Sequence, residues 1–167
     1  MTIRPGDRLP DATLYESLEF GDACPLAPAK VSVAEAVKGK RVVIFGLPGA
    51  YTPTCSAQHV PGYVQALPQL KAKGVDEVWC VSVNDGFVMA AWGKALGALG
   101  KVRMLGDGSA EFTKKLGLDN DLTAGGMGVR SKRYSLLVED GVVTRVNVEE
   151  PKKFEVSDAA TMLKQLA

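Results

Sequence analysis

Cysteine is scarce in this chain. Only Cys24, Cys55 and Cys80 occur among 167 residues, and no two stand in a Cys-x-x-Cys spacing. An odd, unspaced set excludes a disulfide scaffold and a dithiol oxidoreductase, and it suits a reducing compartment. Histidine is scarcer still, with His59 alone. Without further ligand-spaced His or Cys, a zinc site has too few donors, and neither metal nor cofactor is expected. No apolar stretch approaches the roughly 18 residues of a spanning helix, and Met1 to Asp7 contain no apolar h-region. An excess of charge is missing too: 20 basic residues face 19 acidic ones, for a net charge of +1. With no basic run, neither nucleic acid nor an anionic membrane is expected as a partner. Gly125-Gly126-Met127-Gly128 lacks the preceding strand that a dinucleotide-binding loop requires. The expectation is a soluble, cytoplasmic protein.

What is present suits a core. Hydrophobic residues make up 46% of the chain, without repeats or linkers, so one domain over 1–167 is expected. Residues 1–30 read as an irregular opening with a short strand near Ala12 to Tyr15. Ser32 is placed to cap a brief helix over Val33 to Lys38. Arg41 to Phe45, Glu77 to Val83 and Val102 to Leu105 read as strands, the first two parallel and buried on both faces. Val88, Trp92 and Leu96 mark the inner face of a helix opened by Asn84-Asp85-Gly86, and a further helix lies near Glu111 to Leu116. Residues 117–129 read as a glycine-rich loop. Tyr134 to Glu139 and Val142 to Val148 flank Asp140-Gly141, a hairpin signal, and Ser157 is placed to cap a last helix with Ala160, Leu163 and Leu166 facing inward. This order of elements is that of an α/β thioredoxin-like fold, a central mixed sheet flanked by helices.

The most informative stretch is Pro48-Gly49-Ala50-Tyr51-Thr52-Pro53-Thr54-Cys55, directly after the first buried strand. Thr52 is placed as N-cap, Pro53 at N1 and Cys55 at N3 of a helix that Pro61-Gly62 should kink or break. A thiol in that first turn meets unpaired N–H groups and the positive end of the helix dipole, both of which favour the thiolate. A lone cysteine is also a common core residue. The polar, turn-rich surroundings and the position at a strand's carboxyl end favour a nucleophile. His59, four residues on, could share its helix face as the base of a Cys-His acyl-transfer pair, or could be bonded to backbone or a subunit contact.

The segment Phe45 to Ser56, with His59 and Pro61-Gly62 behind it, closely resembles the active-site segment of peroxiredoxins of the type II (peroxiredoxin 5) subfamily. The resemblance continues through Cys80-Val81-Ser82-Val83-Asn84-Asp85, Phe87-Val88-Met89, Trp92 and Gly128-Val129-Arg130-Ser131-Lys132-Arg133-Tyr134. It implies a single redoxin domain and a thiol peroxidase that reduces hydrogen peroxide or small alkyl hydroperoxides. Cys55 corresponds to the peroxidatic cysteine, Thr52 to the hydroxyl that contacts the peroxide, and Pro48 to the proline that shields the pocket. Arg130 corresponds to the distant arginine that completes the site, with Arg133 as the competing candidate. The Gly-Val-Arg-Ser register favours Arg130.

The resemblance further implies a homodimer recycled by glutathione, glutaredoxin or thioredoxin. No cysteine follows Cys80, whereas one branch of the subfamily resolves its sulfenic acid with a cysteine near the C-terminus. Cys80 lies mid-strand, on the order of 13 Å from Cys55 at roughly 3.3 Å per residue, and reads as a core residue. Cys24, beside Pro25, is a weaker resolving candidate. From another class, a peroxide sensor or redox-regulated interaction protein would oxidise Cys55 once, without turnover.

Overall fold

A computed structural model describes residues 1–166. Seven strands form one sheet in the order β2-β1-β5-β4-β3-β8-β9. They are β1 (Thr13–Glu16), β2 (Ala29–Ser32), β3 (Arg41–Leu47), β4 (Glu77–Ser82), β5 (Arg103–Gly106), β8 (Tyr134–Glu139) and β9 (Val142–Val148). A separate pair, β6 (Asp119–Leu122) and β7 (Gly128–Ser131), occupies the stretch expected to be a loop. Its side chains are mostly exposed or half-buried, so no apolar alternation announced it. The three central strands β3, β4 and β5 are parallel, and β8 joins β3 antiparallel. The architecture is thioredoxin-like.

The continuous apolar runs of β3 and β4 are explained by two separate clusters on the two sheet faces. One face carries Val43, Phe45, Val78 and Cys80, covered by α2 (Val60–Ala72), α3 (Gly86–Ala95) and α5 (Ala159–Gln165). The other carries Val42, Ile44, Trp79 and Val81, covered by α1 (Val33–Ala36), α4 (Glu111–Leu116) and the N-terminal segment. Alternation along each strand thus decides which layer a side chain enters.

Three local expectations shift. Pro61-Gly62 does not break the cysteine helix. Helical geometry begins at Pro53 and continues through a π-helical turn at Cys55–His59 into α2. Pro61 has no N–H for the Ala57 carbonyl and its ring crowds that oxygen, and the widened turn, in which the Val60 N–H reaches the Cys55 carbonyl, absorbs the conflict. The last helix is capped by Asp158, whose carboxylate accepts from the Thr161 N–H, rather than by Ser157. That one-residue shift turns Ala159 and Met162 inward and leaves Ala160 exposed. In α3 the buried face carries Met89, Trp92 and Gly93, with Val88 and Leu96 only half-buried.

Gly46 pairs with Tyr134 across β3 and β8, and a Cβ at Gly46 would run into the Tyr134 ring. Gly46→Ala is therefore expected to destabilise the fold by about 1–3 kcal/mol, as overpacking of a core does. Denaturant midpoints of the two proteins check this.

Candidate active site

Strand β3 ends at Leu47 and releases the chain into a tight loop before the cysteine helix. The Ala50 N–H donates to Asn84 Oδ1 at 3.0 Å, and the Ser82 hydroxyl donates to the same oxygen at 2.7 Å, so the end of β4 holds the loop. Tyr51 adopts a left-handed backbone (φ 65°), which is uncommon for a residue with a Cβ and marks a turn held in place by its surroundings. Thr52 stands directly before the first helical residue, as the sequence implies, but its hydroxyl donates to the Gly49 carbonyl at 2.7 Å instead of capping. Its oxygen lone pairs remain available to accept from a bound molecule. Among the described residues, the Thr54 and Cys55 N–H groups have no hydrogen-bond acceptor. Pro48 is half-buried on the wall of a cavity that Thr54 and Arg133 also line.

The arginine on the sulfur is Arg133, a correction to the preference for Arg130. Arg133 Nη2 donates to Cys55 Sγ at 3.1 Å. Arg130 lies in β7, off the main sheet, where its Nη1 donates to the Pro48 carbonyl at 3.2 Å and its Nε to the Met127 carbonyl at 2.9 Å. It braces the loop beside the thiol without touching the sulfur. The reason is register: Tyr134 is level with Gly46, so Arg133, one residue earlier, reaches the level where β3 gives way to the cysteine helix. Pairing of β8 with β3 is a long-range event that no local spacing encodes.

Sequence reasoning also left the role of His59 open. It is fully buried, packed between the rings of Phe45 and Phe154 at centroid distances of 4.7 and 4.9 Å. Arg133 Nη1 lies 2.9 Å from its Nδ1, and its Nε2 lies 3.1 Å from the Ser157 carbonyl. A guanidinium only donates and a carbonyl only accepts, so the imidazole is neutral with its proton on Nε2. Burial first, and the Arg133 charge second, push its pKa down from 6.5 to about 3. With Nδ1 occupied by Arg133, His59 is no base for Cys55, which removes the acyl-transfer reading; it positions the arginine.

The support extends one layer further. Ser157 O also accepts from the Tyr63 hydroxyl at 2.8 Å. The Glu149 carboxylate gathers the N–H groups of Glu155, Val156 and Ser157 at 2.8–2.9 Å and the Ser157 hydroxyl at 2.7 Å. Hydrogen bonds therefore lead from Glu149 through Ser157, His59 and Arg133 to the sulfur. Cys80 is buried in the same apolar cluster as Cys55, two residues before β4 ends at Ser82, nearer the strand end than the sequence reading placed it. Burial above all, and the Cys55 charge next, push its thiol pKa up, and it is unpaired. Cys24 is exposed.

A buried thiol at a helix start, bonded to a fixed guanidinium beside a free hydroxyl oxygen, defines a thiol-chemistry site on a redoxin scaffold. The redoxin family model matches residues 4–163. Among curated relatives, "Peroxiredoxin-2C" of Oryza sativa is 51% identical over 98% of both chains. Among solved structures, reduced Prx3 of Vibrio vulnificus in complex with H2O2 is 50% identical, with a TM-score of 0.91 over 99% of this chain and 100% of that one. A Burkholderia cenocepacia structure bearing a provisional thioredoxin reductase name is 60% identical, with a TM-score of 0.95 over 100% and 99% of the two chains. The chain belongs to the peroxiredoxins, within the type II group, and is a thiol peroxidase: it acts on peroxide and is reduced by thiol proteins.

Two outcomes are expected. Arg133→Gln should slow peroxide consumption by about 10²-fold or more, as loss of a positioned charge on reacting atoms does. Arg130→Gln should cost far less, and single-turnover rates with hydrogen peroxide separate the two. For His59 the folded-state pKa lies below the unfolded value, so between about 3 and 6.5 the unfolded chain binds a proton that the folded one refuses. Stability should fall as pH drops through that window, and His59→Gln should lack this contribution in pH-dependent unfolding curves.

Proposed function

We propose that Cys55 is the peroxidatic nucleophile, that Arg133 and Thr52 hold the peroxide oxygens, and that an external thiol closes the cycle. The observation that carries this reading is the Arg133 Nη2 contact with Sγ at 3.1 Å in a buried first helical turn. Sulfur attacks the terminal peroxide oxygen, an S–O bond forms and the O–O bond breaks. The departing oxygen takes a proton and leaves as water or alcohol, with a sulfenic acid on Cys55. Arg133 and the free N–H groups of the first turn face the charge that grows on the reacting oxygens. The hydroxyl oxygen of Thr52 accepts from the peroxide O–H and orients it, and Pro48 limits water. Hydrogen peroxide and small alkyl hydroperoxides are the proposed substrates, and the H2O2 held by the Vibrio relative supports the first of them.

The proposed reductant is glutathione with glutaredoxin, or thioredoxin. Cys80 is buried without a partner and Cys24 is exposed, so neither thiol is poised on Cys55 as a resolving group. Unpaired cysteines also support a reducing, cytoplasmic setting. A homodimer is proposed from exposed aromatic surface: Phe87 at the start of α3 is 46% exposed, and Tyr51, which leans on Trp92 of the same helix, is 59% exposed.

Cys55→Ser should reduce peroxide turnover to background while leaving the fold intact. Cys24→Ser combined with Cys80→Ala should retain turnover with an external thiol. A coupled assay with glutathione plus glutaredoxin, run beside thioredoxin plus its reductase, reads both variants and ranks the donors. Turnover surviving in Cys55→Ser would refute the assignment. Stoichiometric oxidation of the unmodified protein without turnover would mark a sensor.

A further inference from the structure

Between β9 and α5 the chain runs from Glu149 to Asp158 without helix or strand. Backbone N–H groups in such a stretch need acceptors from elsewhere, and one carboxylate supplies three of them. Glu149, only 8% exposed, accepts from the N–H groups of Glu155, Val156 and Ser157 at 2.8–2.9 Å and from the Ser157 hydroxyl at 2.7 Å. The start of α5 does not need this carboxylate, because Asp158 caps that helix with its own side chain. Burial raises the pKa of the Glu149 carboxyl, but the bonds from Glu155, Ser157 and Val156 outweigh it and hold the group below its ordinary value. An ionised carboxylate only accepts, which suits four donors.

Glu149 also holds the arginine from its other end. The Glu149 N–H donates to the Arg133 carbonyl at 2.9 Å. The hydrogen bonds therefore close into a ring that leaves Arg133 at its main chain and returns at its guanidinium. It runs from the Arg133 carbonyl to the Glu149 N–H, from the Glu149 carboxylate to the Ser157 N–H, from the Ser157 carbonyl to His59 Nε2, and from His59 Nδ1 back to Arg133 Nη1. Phe154, carried on the same stretch, packs on the His59 ring at 4.9 Å and lies 5.8 Å from the guanidinium carbon. A long arginine side chain has many rotamers, and a single contact with Sγ does not select one. The ring selects it at both ends.

We propose that Glu149 is a positioning residue for peroxide reduction, holding the Ser157 carbonyl against His59 and thereby the plane of the Arg133 guanidinium against Cys55 Sγ. The assignment rests on the reading of Cys55 as nucleophile. Glu149 makes no hydrogen bond to the sulfur, so its effect on the reaction passes through Arg133. What the reaction needs from it is reach rather than charge: an accepting oxygen must stand where the Ser157 N–H points. Removing one methylene draws that oxygen back by about one bond length, ~1.5 Å. A misplacement of about 1 Å in the support of reacting groups is enough to cost on the order of 10²-fold in rate. Glutamine keeps the length and one accepting oxygen.

The test measures the rate of hydrogen peroxide attack in single turnover on the full chain, before any reductant is added. Glu149→Asp and Glu149→Ala should each slow it by about tenfold or more, and Glu149→Gln by less than about threefold. In an Arg133→Gln background the same substitutions should cost nothing further, because the two residues act as one unit. His59 is the only histidine of the chain, so a ring ¹⁵N spectrum reads it alone. The unmodified protein and Glu149→Gln should show one neutral tautomer protonated on Nε2, and Glu149→Asp a mixture. Should Glu149→Ala fail to fold, Glu149→Asp, which keeps the charge, carries the same comparison. A Glu149→Asp rate within about threefold of the unmodified protein would overturn the proposal. So would a loss that is equal with and without Arg133, a Glu149→Gln protein as slow as Glu149→Asp, or a slowed Glu149→Asp protein whose His59 spectrum is unchanged. Failure of the unmodified protein to react with hydrogen peroxide would instead overturn the assignment of Cys55.

Discussion

The planar fork of Arg133 is the constraint around which the site is built. One arm reaches Cys55 Sγ at 3.1 Å and the other His59 Nδ1 at 2.9 Å. A guanidinium offers donors in a fixed plane and accepts nothing, so both partners must present lone pairs. That requirement dictates the tautomer of His59, whose remaining N–H must find an acceptor inside the core. Ser157 O provides it, and Glu149 holds Ser157 in turn. A lysine in place of Arg133 would supply the charge without the geometry, because a single ammonium cannot span both partners in one plane.

Delivery of that fork depends on two different kinds of structure. The thiol comes from a local event, the end of β3 followed by a helix start. The guanidinium comes from the residue just before β8, a strand that reaches β3 only after the chain has crossed β4 and β5. The π-helical turn at Cys55–His59 reconciles them: it accommodates Pro61 and keeps Cys55 and His59 both buried on the face that meets Arg133. A regular turn there would carry an unfilled hydrogen bond at Ala57 and a clash with the proline ring.

Charge at the opposite end of the sheet does something else. Arg103 pairs with Glu16 at 2.8 Å and with Glu77 at 3.0 Å, and Lys40 holds Glu77 at 2.9 Å. Bonds from Lys40, Trp79 and Arg103 outweigh burial and pull the Glu77 carboxyl down to about 2. These groups satisfy one another and tie β1, β4 and β5 together, whereas the groups near Cys55 leave lone pairs and N–H donors unspent. Spent and unspent polarity is what separates the structural end of this sheet from its reactive end.

Much of this was legible in the residues alone. Buried strands at β3 and β4 follow from continuous β-branched and apolar runs, and the hairpin of β8 and β9 from Asp140-Gly141. The position of Cys55 in a first helical turn follows from Thr52-Pro53, because each of these signals is local and acts within a few residues. Three things were not local. The π turn arose from a contest between proline sterics and a buried helix face. The β6–β7 pair formed without an apolar pattern to announce it. The choice of Arg133 over Arg130 was decided by the strand register that sets Tyr134 beside Gly46, a pairing between adjacent strands that are far apart along the chain. By itself the sequence determined which thiol stands in a first helical turn, since a helix start is set by its own few residues; only the tertiary structure decided which charge reaches that thiol, since electrostatic contact depends on distance in space and not along the chain.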